Sequence, residues 1–455
     1  MGFSGGGLLG IAFALLLAAL PWRGAQAHAV LLESSPAKDA VLAEAPARIV
    51  LRFNEPIRPI ALRILVTEDQ RAVEPVGVEV VDAELRAPLP EALPDGTYLV
   101  SYRVASADDH PIVGSFVFTV GAPSTRASPP LAEVGQHDDF WLVAGVAARA
   151  FRYGTLLLAS GLALFLALLP VPSDLRPPLR RGLAWLTVLG LAACLVMLGA
   201  TGGALYGGPA GALLSLEPWR IALASPVAAS VALAVPGLGI LVLAARRALR
   251  HEWLVLLAGA LPVAASFAVS GHAATAGPGW ITLPTLMLHA LCAAYWVGAL
   301  APLLVALRRL PRDQALLLLR AFSAGAIIAV AGLLLAGVVL SALQLRTPSA
   351  LIATDYGRLL LLKLAVVALL LGLGAINRLV LTPALERRAD AVVGLRRTIG
   401  ADLALAAGVV VLTAGLGTVP PPRVLAEGAA AHAHADHGAR DYTVHLTAPG
   451  HNLVL

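Results

Sequence analysis

The chain has 455 residues, of which 58% are hydrophobic and 13% are charged, and its mean hydropathy is +0.80. Soluble domains carry about 25% charged residues, so this composition excludes a wholly soluble enzyme and a disordered protein. The two cysteines exclude a disulfide-rich secreted scaffold. The net charge of +5 does not indicate a nucleic-acid-binding surface, because most arginines lie in short clusters between apolar runs, as in the loops of a membrane protein.

Residues 1–27 have the features of a secretory signal peptide. The apolar run at 8–20 is too short to span a bilayer comfortably, and Ala25-Gln26-Ala27 follows it as an A-x-A cleavage signal. No Lys or Arg precedes the run, so an uncleaved anchor is the alternative. Cleavage after Ala27 would place an α-amine and an imidazole together on His28, which makes a bidentate metal chelate outside the cytoplasm.

Residues 28–121 are predicted to form an all-β sandwich. Short β-rich runs recur, several of them alternate apolar and polar residues, and turn signals such as Asp95-Gly96 separate them. The predicted strands are Arg48–Phe53, Leu62–Thr67, Val78–Val81, Thr97–Ala105 and Ser115–Val120.

A loop just before the last predicted strand contains two carboxylates and an imidazole, from Asp108, Asp109 and His110. Two imidazoles, one carboxylate and the amine of His28 would make a nitrogen and oxygen ligand set that suits Cu(II). The alternative is an ordinary solvated turn.

Three segments of this β region resemble the CopC family of periplasmic copper-binding proteins: HAVLLESSPA at 28–37, LRFNEPI at 51–57 and DGTYLVSYRVASADDHPIVGSFVFTV at 95–120. The resemblance implies an immunoglobulin- or cupredoxin-like fold and a Cu(II) site formed by His28, Asp108 and His110. Asp109 stands where the family usually has Gly, so it is expected either to compete as a ligand or to alter the conformation of the loop. The segment contains no Met, so the methionine-rich Cu(I) site of some members has no counterpart.

Residues 140–419 are predicted to form an all-α polytopic membrane domain of about eight transmembrane helices, joined to the β domain by a Pro/Ser/Ala-rich linker at 122–139. The loops after the odd-numbered spans contain most of the loop arginines. The positive-inside rule therefore places both ends of the mature chain in the periplasm and the spans in the plasma (inner) membrane. The predicted spans lie near 145–170, 184–203, 221–244, 253–271, 283–306, 318–343, 358–380 and 399–419.

Two histidines share one predicted depth in the outer half of the membrane. His272 follows the end of span four, and His289 lies less than two turns into span five. An intramembrane His is a functional candidate because its burial is costly. Thiol and thioether groups, which Cu(I) prefers, fall at the same depth, although apolar packing is their alternative role. These sulfur-containing residues are Cys194, Met197, Met287 and Cys292.

Three basic residues are predicted to lie within the outer half of spans: Arg149 and Arg152 in the first span and Lys363 in the seventh. A buried cation needs an acidic or carbonyl partner. The predicted partners of Lys363 are Asp355 and Glu217 in outer loops. Snorkelling of the long side chains toward the surface is the alternative.

The helical region contains motifs that resemble the CopD family of copper-transporting membrane proteins. They are SGHAA at 270–274, the H-x6-W-x-G pattern from His289 to Gly298, Gly357-Arg358 with Lys363, and Asn377-Arg378. The order of the two regions is that of the YcnJ-like CopC/CopD fusion proteins. The resemblance implies that His272 and His289 hold copper within the membrane.

Residues 420–455 are predicted to form a periplasmic tail. Its HAHADH motif contributes three closely spaced histidines that can bind Cu(II), Zn(II) or Ni(II): His432, His434 and His437. The alternating pattern of 442–455 resembles the opening of a further, truncated domain.

Together these features predict a copper homeostasis protein and not an enzyme. The β domain would bind periplasmic Cu(II) and pass copper to the membrane domain, where it could travel as Cu(I), for import into the cytoplasm. The predicted partners are copper ions, the lipid bilayer and periplasmic copper donor proteins, without nucleic acid or nucleotide. Two alternatives stay open: a tethered copper-sequestering resistance protein without transport, and a membrane redox protein that holds haem between His272 and His289.

Overall fold

A computed structural model of the chain describes residues 31–66, 71–90, 93–107, 109–122, 138–247, 251–271, 274–426, 446–448 and 451–453. The predicted signal peptide, most of the predicted linker and the HAHADH motif lie outside the described residues.

The N-terminal region is a two-sheet β structure, as predicted. A four-stranded sheet has the order β1-β3-β7-β6, and a five-stranded sheet has the order β2-β9-β8-β4-β5. The apolar faces of both sheets form one buried core. The strands are β1 (Leu31–Ser35), β2 (Val41–Leu42), β3 (Arg48–Phe53), β4 (Ile57–Val66), β5 (Ala72–Val73), β6 (Glu79–Val81), β7 (Glu84–Pro88), β8 (Gly96–Ser106) and β9 (Pro111–Val120). Two further short strands, β10 (Leu446–Ala448) and β11 (His451–Leu453), pair with each other.

The long hairpin of β8 and β9 supports the loop that contains the predicted Cu(II) ligands. Its ladder runs without interruption from the Gly96–Val120 pair to the Ala105–Pro111 pair, next to the loop. Tyr102 of β8 packs on Gly114 of β9, where a Cβ atom would collide with the phenol ring. Burial raises the pKa of Tyr102 above its ordinary value, so this side chain stays neutral in the core.

The helical region begins at Asp138. Each of the eight predicted spans coincides with a helix, and seven helices among the described residues are long and apolar enough to cross a membrane. The fourth predicted span is the shorter helix, extended by a 3-10 turn to Ala268. The helices are α1 (Asp138–Leu168), α2 (Arg176–Tyr206), α3 (Glu217–Leu223), α4 (Pro226–Arg246), α5 (Glu252–Ala265), α6 (Gly279–Arg309), α7 (Arg312–Leu345), α8 (Ala350–Ala353), α9 (Asp355–Ile376), α10 (Thr382–Arg387) and α11 (Ala391–Leu416).

Helix α1 lies at the centre of the bundle, where it packs against α2, α5, α6 and α11. Its contact with α6 is a backbone-to-backbone approach of Gly161 and Gly298, since a Cβ atom on either glycine would collide with the other helix. Small residues permit such close helix approach in membranes. The glycine that ends the H-x6-W-x-G pattern is therefore required for packing. Helices α7 and α9 lie at the periphery, on α6 and α11 respectively.

We expect Gly161→Ala to lower the melting temperature of the detergent-solubilised protein, because the new Cβ would meet the carbonyl oxygen of Ala294. Overpacking of this kind costs about 1–3 kcal/mol. The matched control is Gly154→Ala on the same helix, where no atom lies near an added Cβ. Alanine is the better helix former, so the control should keep or raise the melting temperature. Equal shifts for both variants would contradict the close α1–α6 packing.

Candidate metal site

The loop between β8 and β9 is a tight turn, which two hydrogen bonds between Ser106 and His110 stabilise. The Ser106 amide donates to the His110 carbonyl oxygen at 3.0 Å, and the His110 amide donates to Ser106 Oγ at 3.1 Å. Asp109 has a φ of 71°, in the left-handed region that Gly adopts freely and Asp tolerates better than most residues. This conformation gives a physical reason for the glycine that the CopC resemblance places at this position.

Asp109 docks the loop on the helical region. Its carboxylate pairs with Arg58 of β4 and accepts a hydrogen bond from the Val227 amide at 3.2 Å, in the first turn of α4. Arg58 also donates to the carbonyl oxygen of Ala224 at 3.0 Å. The first amides of a helix have no partner within the helix, and the positive end of the helix dipole favours an anion. The Asp109 side chain, which is only 6% exposed, is thus engaged in docking.

A second contact joins the β domain to the C-terminus of a helix. The buried Arg103 of β8 donates from Nε to the Leu205 carbonyl oxygen at 2.6 Å and from Nη2 to the Ala204 carbonyl oxygen at 2.7 Å. These carbonyls belong to the last turn of α2, which ends at Gly207 in the left-handed conformation. A cation is stabilised at a helix C-terminus, so the interface pairs each charge with the matching helix end.

The docked loop lines a cavity of about 840 Å³ that extends among the helices of the bundle. Asp109 and His110 line it on the side of the β domain, and His289 lines it between the helices. We name this space the central cavity. It brings together one predicted ligand of the β-domain site and one predicted ligand of the membrane site.

His289 is placed on α6 with its imidazole against α7. The ring forms a hydrogen bond with the backbone of Leu333. Its Nδ1 atom is buried and has no hydrogen-bond partner within the described parts of the chain. Trp296, two turns further along the helix, lines the central cavity as well. His289 and Trp296 therefore share the cavity face of α6.

The structure separates the four sulfur-containing residues. Met197 is buried and lines the central cavity. Cys194 is buried in the helical core, and Cys292 Sγ packs against Gly332 of α7. Cys194, Met287 and Cys292 are absent from the described cavity lining. His289 and Cys292, three residues apart on α6, both face α7, but only His289 is part of the described cavity lining.

The predicted partners of Lys363 were wrong. Asp355 pairs with Arg358 at 3.4 Å, and Glu217 pairs with Arg220 at 2.9 Å, each within its own helix. A partner three residues along the same helix is nearer than any side chain across a loop. Lys363 instead lines the central cavity.

Several predicted ligands lie outside the described residues: His28, Asp108, His272, His432, His434 and His437. Across the described residues, no group of three His, Cys, Asp or Glu side chains is arranged to hold a metal ion. The ligand sets proposed for both sites each include at least one residue from outside this part of the chain.

The docking role of Asp109, Arg58 and Arg103 was not predicted from the sequence. The pattern of strands gives no information on which strand residues will meet a helix end far along the chain. The one available signal was Asp109 itself, a charged residue where the CopC resemblance has Gly.

Three family models match the chain. The CopC domain matches residues 31–121, the copper resistance protein D-like N-terminal domain matches 138–283, and copper resistance protein D matches 316–416.

Known proteins agree with this division. The copper transport protein CutJ of Bacillus subtilis is 28% identical over 421 residues, which cover 87% of this chain and 75% of CutJ. Copper resistance protein C of Escherichia coli is 33% identical over 127 residues, or 26% of this chain and 92% of that protein. The crystal structure of CopC from Methylosinus trichosporium OB3b is 30% identical, with a TM-score of 0.19, and covers 22% of this chain and 99% of that one.

We expect Asp109→Ala to increase hydrogen exchange at the Val227 amide by about tenfold or more, because hydrogen bonds to charged groups contribute about 1.5–3 kcal/mol. Hydrogen-exchange mass spectrometry of a peptide spanning 224–231 measures this. Asp82→Ala is the matched control, since Asp82 is exposed and also has a left-handed φ, of 54°. Unchanged exchange in Asp109→Ala would contradict the docked arrangement.

Proposed function

This chain belongs to the CopC/CopD fusion proteins, a copper-handling family, and from that premise we propose that it captures Cu(II) outside the cytoplasm and imports copper. The β domain binds Cu(II) through His28, Asp108 and His110. Copper then moves to His289 and His272 in the membrane domain. Both the β domain and the predicted tail face the periplasm, and the helices span the inner membrane.

The observation that supports this proposal is the central cavity, which both His110 and His289 line. A metal ion that leaves the β domain next to His110 enters a space that His289 also lines. Imidazole nitrogen suits both Cu(II) and softer states of copper. The buried Nδ1 atom of His289, which no described residue satisfies, is available as a ligand.

Asp109 is a docking residue in this proposal and not a copper ligand. Its carboxylate oxygens already accept from Arg58 and from the Val227 amide. Asp108, the neighbouring carboxylate in the sequence, remains the proposed ligand. Met197 is the sulfur-containing residue placed on the path, where its thioether would favour Cu(I).

Import is the proposed direction, because the capturing loop docks at the first turn of α4, at the end of the bundle that this proposal places outside the cytoplasm. Copper bound at the loop is upstream of the membrane site. An exporter would need its capture site at the opposite end. Periplasmic copper donor proteins would deliver their ion to the β domain.

We expect cells that express the chain to accumulate copper after a copper pulse, and His289→Ala or His110→Ala to reduce the accumulation by at least about tenfold, since ligand-shell changes alone alter metal affinity by about 10–100-fold. Elemental analysis of washed cells measures this. His251→Ala is the control, because His251 is exposed in the turn before α5, away from the cavity lining.

Each other outcome supports a different function. Unchanged accumulation in His289→Ala, with Cu(II) still bound by the β domain, would favour a tethered copper-sequestering protein. Lower copper in expressing cells than in empty-vector cells would reverse the direction. A Soret band in the purified protein would favour haem between His272 and His289.

We also expect Gly145→Trp to stop copper accumulation without loss of Cu(II) binding. Gly145 lines the central cavity, and no atom lies near an added Cβ, so the indole would enter the open path. Gly154→Trp on the same helix is the matched control, because this position also has open space around it but does not line the described cavity. Full accumulation in Gly145→Trp, with its fold intact, would contradict passage through the cavity.

A further inference from the structure

The central cavity contains a buried cation whose partners are all neutral. Arg152 of α1 is 2% exposed and donates from Nη2 to Ser230 Oγ at 2.6 Å and to Ser266 Oγ at 3.3 Å. Its Nε atom is buried without a hydrogen-bond partner in the described part of the chain. Burial of a cation is costly unless an anion compensates its charge.

A second cation lines the same space. Lys363 of α9 forms no ion pair or hydrogen bond within the described ranges, and none of the carboxylates there pairs with Arg152. Two described carboxylates line the cavity: Asp109, which pairs with Arg58, and Asp139, which is exposed at the start of α1. The inner part of the cavity is therefore positively charged, although the proposed cargo is also a cation.

The cavity also has an apolar opening on the flank of the bundle. Helices α7 and α9 both line it but share no packed interface among the described residues. Leu334 and Val338 of α7 and Leu364 of α9 line the cavity and are 51%, 68% and 47% exposed. Residues of this type at a gap between peripheral helices face the lipid acyl chains.

We propose that an anionic phospholipid occupies the central cavity, with its phosphate attracted by the cationic lining that Arg152 and Lys363 supply and its acyl chains in the gap between α7 and α9. An amphiphile of this kind matches both observations, because it carries a negative charge at one end and apolar chains at the other. Free phosphate would compensate the cations but leave the apolar gap open. A second copy of the chain could cover the gap, but the cavity face of α7 offers no anion at the described lining positions.

The bound phosphate has a consequence for copper, and this step alone rests on the proposed function. Charges in a region of low dielectric interact strongly, so Lys363, whose charge acts on His289, repels a copper ion there. A phosphate bound in the same cavity reduces that repulsion. The lipid would thus make the cavity passable for a cation.

The test is native mass spectrometry of the full chain, purified in mild detergent from a bacterial membrane that contains phosphatidylglycerol. We expect about one phosphatidylglycerol per chain to remain bound. Arg152→Gln combined with Lys363→Gln should reduce the bound fraction by at least about tenfold. Arg358→Gln is the matched control, because Arg358 lies on α9 but is exposed and pairs with Asp355; it should retain the lipid.

Charge-preserving variants keep the test decisive if the double variant does not fold. Arg152→Lys and Lys363→Arg should each retain phosphatidylglycerol, whereas Lys363→Gln alone should bind it more weakly. Exchange into phosphatidylcholine, which has no net charge, should leave the site with little bound lipid.

Four results would overturn the proposal: equal lipid retention in the double variant, equal retention of phosphatidylcholine, phosphate bound in place of lipid, or a lipid-free dimer that covers the gap. The assay contains no copper. Failure of lipid binding is therefore distinguishable from failure of copper import, which the histidine variants report.

Discussion

The pairing of charged strand residues with helix ends is the interaction on which the rest of this structure depends. Arg103 satisfies the terminal carbonyls of α2, and Asp109, fixed by Arg58, accepts from the first turn of α4. Each charge meets the helix terminus of opposite partial charge. Without these contacts the loop with His110 would have no defined position relative to the helices, and His110 and His289 would not line one cavity.

The central cavity combines two requirements that conflict in electrostatic terms. A path for a copper cation should offer ligands, and His110, Met197 and His289 line it. The same space is lined by Arg152 and Lys363, whose charges oppose the entry of a cation. An anion in the cavity resolves this conflict. The proposed lipid and the proposed copper path are therefore parts of one physical account, although each has its own test.

Much of the fold followed from the sequence, because apolar periodicity and run length are local properties. The predicted strand Arg48–Phe53 coincides with β3, and all eight apolar runs became helices. The interaction partners of individual residues could not be predicted from the sequence in the same way. Lys363 was assigned to acidic residues of outer loops, but those carboxylates pair within their own helices. Cys292 faces α7 as His289 does but does not line the described cavity, which the spacing along α6 alone could not predict. His28, Asp108 and His272 stay predictions.

Copper flux into liposomes that contain only the purified full chain tests the central claim most directly. With copper and a mild reductant outside and a copper-sensitive chelating dye inside, the account predicts a rise in dye signal. Asp109→Ala, which loosens the β domain, should slow the rise, and His289→Ala should abolish it. Stable binding of copper on the outside of wild-type liposomes, with no signal inside, would contradict transport through this chain.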